Sequence, residues 1–261
     1  MPPTSKAWQE RECQLLRQFY AQGALSLQRP EAWEAQAYLE ARAIPVEIAI
    51  ATGVGYLESK AAATSGEKLL ERWEDRLLFP LLTFDQQQQQ MALGFAGRLL
   101  SDWQSCADEQ THKLLLDQRG LKRWLKTFPA GWFWTPPQTS AKAHPLILIE
   151  GPFDRLSLLA AGFEAAEVAA LVGTALGMPL PTDYLSSVLL ALDSDPAGEE
   201  AAVRLHEQLE IQHIPCERCF PSRVSGKDWN ERWRRYGADG LDALYAHQAL
   251  MAQQTSSGNA R

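Results

Sequence analysis

Leu146-Ile-Leu-Ile-Glu-Gly-Pro-Phe-Asp154 decides how the second half of this 261-residue sequence is read. Four aliphatic residues in succession are too few for a buried helix and suit a strand covered on both faces. A glycine, a proline and two carboxylates follow at once, where the strand gives way to a helix. Moving outward, the pattern repeats. A helix is expected over Leu156–Ala161, a strand over Val168–Val172, a helix over Leu180–Ser187 and a strand over Val188–Leu192. A helix over Glu199–Leu209 and a strand-like run over Ile211–Phe220 complete the series. Strands and helices alternating through short connections predict an α/β fold, a parallel sheet flanked by helices.

The strand ends carry the chemistry. Glu150 and Asp154 follow the first strand, Asp193 and Asp195 the third, and Lys227-Asp228-Trp-Asn-Glu231 the fourth. Open α/β sheets bind ligands at the carboxyl ends of their strands, so Glu150, Asp154, Asp193, Asp195 and Asp228 are expected at one edge. Clustered carboxylates repel one another unless a cation sits among them. An all-oxygen donor set favours Mg²⁺ or Mn²⁺ over zinc, and the chemistry that suits it is phosphoryl transfer. Each part also has a plainer reading. Asp193 or Asp195 could cap a helix that begins at Pro196, and Asp154 could cap a helix or pair with Arg155.

Before residue 142 the texture differs. Helices are expected over Ser5–Gly23, after Pro30 and near Pro45–Ala51, and a short strand over Val54–Leu57. Ser59–Gly66 and Ser101–Thr111 read as loops, and Arg76–Asp85 and Met91–Leu100 as strands joined through Gln86–Gln90 as a polar hairpin turn. Lys113, Arg119, Lys122, Arg123 and Lys126 then cluster near Trp124, Phe128, Trp132, Phe133 and Trp134. Two readings stand side by side: a surface on which single-stranded bases stack while phosphates pair, or a solvated basic face beside a tryptophan-lined core. Thr135–Pro145 reads as a linker. The expected organisation is an α+β amino-terminal subdomain over about 1–141, an α/β domain over 142–238, and a short helix (Leu241–Gln253) with a polar tail over 239–261.

Composition narrows the class. Hydrophobic residues are 46% and charged residues 22% of the chain, as in a globular protein. The net charge of −7 excludes a strongly basic nucleic-acid protein but not a local basic groove. Residues 1–141 carry 15 basic and 16 acidic side chains, net −1, whereas residues 142–261 carry 10 and 16, net −6. The surplus acid falls in the half that holds the strand-end carboxylates. No apolar run approaches the ~18 residues of a membrane helix, no signal peptide is evident, and the four cysteines are too scattered for a disulfide framework, so a cytoplasmic protein is expected.

In combination the motifs resemble a known family. Glu150-Gly-x-x-Asp154, Leu171-Val-Gly-Thr-Ala-Leu-Gly177, Asp193-x-Asp195-x-Ala-Gly198 and Lys227-Asp228-x-Asn230-Glu231 resemble a TOPRIM domain, and Gly-Thr-Ala-Leu points to its primase branch. Ala37–Ile44 with Val54-Gly-Tyr56, Asp75-Arg-Leu-Leu-Phe-Pro80 and Gly94-Phe-Ala-Gly-Arg98 resemble the RNA-polymerase core of DnaG-type primases. The resemblance spans about residues 30–236. It implies synthesis of short RNA primers from nucleoside triphosphates on single-stranded DNA. It implies Glu150, Asp193 and Asp195 as central, catalytic metal ligands, with Asp154 and Asp228 completing the cluster. It also implies Arg76 and Arg98 in a groove between subdomains, touching template or nucleotide phosphates. Lys122, Arg123, Lys126 and Lys227 join them as candidate nucleic-acid or nucleotide contacts.

The sequence departs from the family in several places. No zinc-binding module precedes the core and no helicase-binding domain follows, so a replicative helicase and a separate zinc-finger protein are expected as partners. Arg123-Trp-Leu-Lys-Thr127 stands where the family has Lys-Tyr-x-Asn-Ser. Asn230 replaces a usual aspartate, keeping an oxygen donor and losing a charge. Lys-Asp-Trp-Asn-Glu resembles phage and plasmid forms, which suggests a mobile-element protein. Cys216-x-x-Cys219 reads as buried thiols rather than half a zinc site. Two alternatives remain: a metal-dependent TOPRIM nuclease, and a non-catalytic remnant that binds single strands and recruits partners.

Overall fold

A computed structural model describes residues 6–84, 90–127, 131–137, 144–172, 185–219, 221, 226 and 228–249. The chain divides into two compact units, residues 1–83 with 90–131, and residues 84–89 with 132–261.

The first unit is α+β. Helix α1 (Lys6–Ala21) buries Leu15 and Leu16. Helices α2 (Trp33–Ala41) and α3 (Val46–Ala51) follow. Strands β1 (Gly55–Leu57), β2 (Arg76–Phe84), β3 (Gln90–Leu99) and β4 (Trp124–Lys126) lie side by side in that order, with β1 antiparallel to β2 and β4 antiparallel to β3. Side chains alternate across a strand. Because nearly every residue of β2 is buried, both of its faces are covered. Leu16, Leu25, Trp73, Leu78 and Phe95 form the core against which α1 packs. Pro80 falls beyond the stretch of β2 that pairs with β1, so its missing N–H costs no bond in that ladder.

Two expected loops hold helix. Ala61–Ser65 is a short helix, α4, entered and left through residues of positive φ at Lys60 and Gly66. Five small residues give no periodicity for a sequence reading to detect. Glu109–Gln118 is α5, and Asp108 caps it by accepting from the Thr111 N–H at 2.7 Å. The expected turn at 86–90 lies largely outside the described residues.

The second unit is α/β, as expected. Strands β5 (His144–Ile149), β6 (Val168–Ala170), β7 (Leu185–Leu190) and β8 (Cys216–Arg218) form a parallel sheet in the order β6-β5-β7-β8. Helices α6 (Pro152–Ala160), α7 (Pro196–Ile211) and α8 (Trp229–Tyr236) connect or follow them, and residues 242–249 are also helical. The helix expected over Leu180–Ser187 is corrected here. Leu185–Ser187 already belongs to β7, where exposed Ser186 and half-buried Ser187 separate buried Leu185 and Val188; residues 180–184 lie outside the described set. The polar pair interrupts the apolar run and hides the start of the strand.

Trp132, Phe133 and Trp134 are all buried. Phe133 and Ala170 exchange both backbone hydrogen bonds at 3.0 Å, and the Trp134 indole N–H donates to the Ala166 carbonyl at 2.8 Å. These aromatics are therefore core, sealing the outer edge of β6, and do not offer a stacking surface. Phe128 lies outside the described residues. All four cysteines are free, and burial pushes the Cys216 and Cys219 thiols up to about 11. Cys219 is buried and Cys216 half-buried, and thiols held there are protonated near neutrality.

Candidate active site

Parallel pairing brings the carboxylates to one sheet edge. Leu148 on β5 lies opposite Leu190 on β7, and the Ala191 N–H continues the ladder to the Leu148 carbonyl at 2.8 Å. Glu150 leaves β5 one residue past its end, and Asp193 leaves the neighbouring β7 three residues past its end. Both stand at the carboxyl edge. Asp195 follows as the N-cap of α7, accepting from the Gly198 N–H at 2.9 Å, with Pro196 at the first helical position. Asp228 caps α8 in the same way, accepting from the Glu231 N–H at 2.7 Å.

Asp154 is buried in the first turn of α6 and accepts from the Asn230 backbone N–H at 2.8 Å. The start of α8 is thereby fixed to the start of α6, and Asp228 is brought toward Asp154. Arg155 does not pair with it. That guanidinium is buried among the Val168 and Ala165 carbonyls and the Thr135 hydroxyl, stacked on Phe133, and burial pushes it down to about 9. Asn230 donates from Nδ2 to the Ser157 hydroxyl at 2.8 Å.

Two glycines keep this edge close-packed. A Cβ on Gly151 would collide with Asp154 Oδ2, and one on Gly198 would collide with the Asp193 carbonyl. Among the described residues no three His, Cys, Asp or Glu side chains are grouped as a ready-made ion cage. The donor set nonetheless suits a hard divalent ion. Glu150, Asp193 and Asp195 share one edge and offer only oxygen, and a carboxylate that caps a helix through one oxygen retains a second.

The basic residues divide into two groups. Arg76 and Arg98, expected in an open groove, are buried in the first unit. Arg76 donates from Nε to the Arg72 carbonyl (2.8 Å) and through its Nη atoms to the carbonyls of Arg123 (3.2 Å) and Lys122 (3.0 Å). Burial, with Arg98 and Arg72 nearby, pushes its guanidinium down to about 10. Arg98 donates to the Tyr38 hydroxyl (3.2 Å) and to Glu109 (2.5 Å). Both side chains face inward from the strands, where carbonyls and a carboxylate are better partners than a ligand in solvent. Arg76 thus supports the backbone of the segment that carries the second group: Lys122 and Lys126 are exposed and Arg123 is half-buried. Lys227 lies outside the described residues.

Glu109 is a hub that the sequence reading missed. Its carboxylate meets Arg42 at 2.7 Å, Arg98 at 2.5 Å, Arg123 at 3.7 Å and the Tyr38 hydroxyl at 2.6 Å. Burial opposes ionisation, but Arg42, Arg98 and the Tyr38 hydroxyl outweigh it and hold the carboxyl at about 2. Arg218 was also missed. It lies on β8 and reaches across the turn that carries Asp193. A charged residue inside a strand-like run, Cys216-Glu-Arg-Cys219, is the signal that could have marked it.

Residues 147–233 match the protein-family model described as Toprim-like. This stretch is similar to the Toprim family. Most of the chain is similar in fold to solved primase cores. It aligns to a DnaG primase catalytic domain bound to single-stranded DNA with a TM-score of 0.61 and 19% identity, covering 93% of this chain and 79% of that one. It aligns to the RNA polymerase domain of Mycobacterium tuberculosis primase DnaG with a TM-score of 0.57 and 20% identity, covering 93% and 84%. In sequence it is 28% identical over 164 residues to a DNA primase of Mycoplasma pneumoniae, covering 60% of this chain and 24% of that protein. It is 28% identical over 198 residues to a DNA primase of Synechococcus elongatus, covering 72% and 26%. The chain therefore spans about a quarter of the length of these curated relatives. The Toprim match takes in the full carboxylate edge from Glu150 to Asp228.

Proposed function

We propose that this chain is the catalytic core of a DnaG-like DNA primase, joining ribonucleoside triphosphates into short RNA primers on single-stranded DNA. What supports the proposal is the position of Glu150, Asp193 and Asp195 just after the carboxyl ends of neighbouring parallel strands, β5 and β7, in a stretch similar to the Toprim family. These three residues would hold Mg²⁺ or Mn²⁺, with Asp154 and Asp228 maintaining the acidic surroundings. Such an ion, when bound, supplies Lewis-acid stabilisation of the charge on the transferring phosphoryl group. Lys113, Lys122 and Lys126, exposed on the first unit, are assigned to template phosphates. Arg76 keeps that basic segment in place by holding the carbonyls of residues 122 and 123. A replicative helicase and a separate zinc-finger protein are proposed partners in a mobile-element replication module.

The test is incubation of the purified chain with a single-stranded template, Mn²⁺ or Mg²⁺ and labelled ribonucleotides. Short RNA products that disappear in the Asp193→Asn, Asp195→Asn double variant support the proposal. Shortening of the template would assign the edge to a nuclease. Template binding with neither outcome, under conditions where a supplied primer is also not extended, would assign the chain to a binding role.

A further inference from the structure

The carbonyls of residues 190–193, the last of β7 and the three that follow it, all accept hydrogen bonds from side chains. Arg218 Nη1 donates to the Leu190 carbonyl at 2.9 Å and the Leu192 carbonyl at 3.1 Å. Its Nη2 donates to the Asp193 carbonyl at 3.1 Å and to Glu199 Oε1 at 2.8 Å. The Ala191 carbonyl accepts from the Trp229 indole N–H at 2.7 Å. The turn is closed from the other side as well, because the missing Cβ of Gly198 is what lets the Asp193 carbonyl lie where it does. A planar guanidinium offers five donors spread over three nitrogens in a fixed fork, whereas a lysine ammonium offers three from one rotating nitrogen and cannot reproduce the same spread.

We propose that Arg218, seconded by Trp229, is the positioning residue of the carboxylate edge: it fixes the β7–α7 turn so that Asp193 and Asp195 are presented together to a divalent ion. The inference rests on the reading of Glu150, Asp193 and Asp195 as ion ligands. It has a sign that separates geometry from charge. A guanidinium beside an acidic edge repels an incoming cation, so on Coulombic grounds alone its removal tightens metal binding. If the guanidinium instead pre-organises the ligands, its removal loosens binding, because the turn must then be ordered as the ion arrives.

The experiment measures Mn²⁺ affinity of the full chain from the electron paramagnetic resonance signal of free Mn²⁺, without substrates, in the parent protein and in Arg218→Gln, Arg218→Lys and Trp229→Phe. Circular dichroism checks that each variant is folded. About tenfold weaker binding is expected in Arg218→Gln and nearly the same in Arg218→Lys, which keeps the charge and loses the fork. Trp229→Phe, which changes no charge, should weaken binding severalfold. Equal or tighter binding in Arg218→Gln, or full retention in Arg218→Lys, overturns the proposal. If neither Arg218 variant folds, Trp229→Phe decides, and unchanged affinity there overturns it. A parent protein that binds no Mn²⁺, or binding that survives the Asp193→Asn, Asp195→Asn change, removes the ion-ligand reading itself and this inference with it.

Discussion

Replacing Glu109 with glutamine removes one negative charge from the centre of Arg42, Arg98 and Arg123 and keeps the shape of the side chain. The carboxyl is held at about 2 against an ordinary 4.5, a difference of roughly 3 kcal/mol at 1.36 kcal/mol per pKa unit. Glu109 is 38% exposed, so solvent screens part of that, and about 1.5 kcal/mol is the expected loss at neutral pH. In a chain of this size the loss lowers the melting temperature by about 3–6 °C. The pH dependence has a definite sign. A carboxylate depressed in the folded state stabilises above its unfolded value and loses that contribution as pH falls through its folded value. The gap between parent and Glu109→Gln should therefore be full at pH 7 and narrow from about pH 4.5 toward pH 2. Paired thermal melts at pH 7 and pH 3.5 measure it. A variant that melts with the parent at pH 7, or a gap that widens in acid, would refute the assignment of Glu109 as the anionic hub.

Gly198→Ala should lower stability by about 1–3 kcal/mol, because the new methyl overlaps the Asp193 carbonyl and the turn must shift; chemical denaturation measures it, and a neutral outcome would show that the turn has room. Lys122→Ala and Lys126→Ala should each reduce the slope of log affinity for oligo-dT against log salt by about 0.7 to 1 while leaving Mn²⁺ binding alone. Cys219 should react with a disulfide reagent at pH 8 far more slowly than a free thiol and reach full reactivity only on unfolding, since it is buried and its thiol is held near 11.

The sequence showed the second unit better than the first. Leu146–Ile149 and Val188–Leu190 announce buried parallel strands because neither face admits a polar residue, and Asp195-Pro196 marks a helix start through local chemistry that needs no tertiary partner. The start of β7 is hidden in the sequence because Ser186 and Ser187 interrupt its apolar run. Arg76 and Arg98 were misplaced for a different reason. A motif fixes their position along the chain, but whether a guanidinium points to solvent or to Glu109 depends on a residue eleven places away from Arg98 whose own role no local pattern records. That Glu150 and Asp193 follow the ends of parallel strands is legible from the apolar runs before them. That Asn230 would turn to Ser157, and that Arg218 would hold the turn between β7 and α7, depends on packing between helices and strands far apart in sequence.

The short bridge between Phe133 and Ala170 bears on how the α/β unit could stand alone. Strand β6 is outermost in its sheet, and an outermost strand with open amides recruits foreign strands. Residues 132–134 occupy part of that flank and lay three aromatic rings into the hydrophobic interior. A fragment beginning at Trp132 carries its own selvedge, whereas one trimmed to the first residue of β5 would leave the flank raw and prone to self-association.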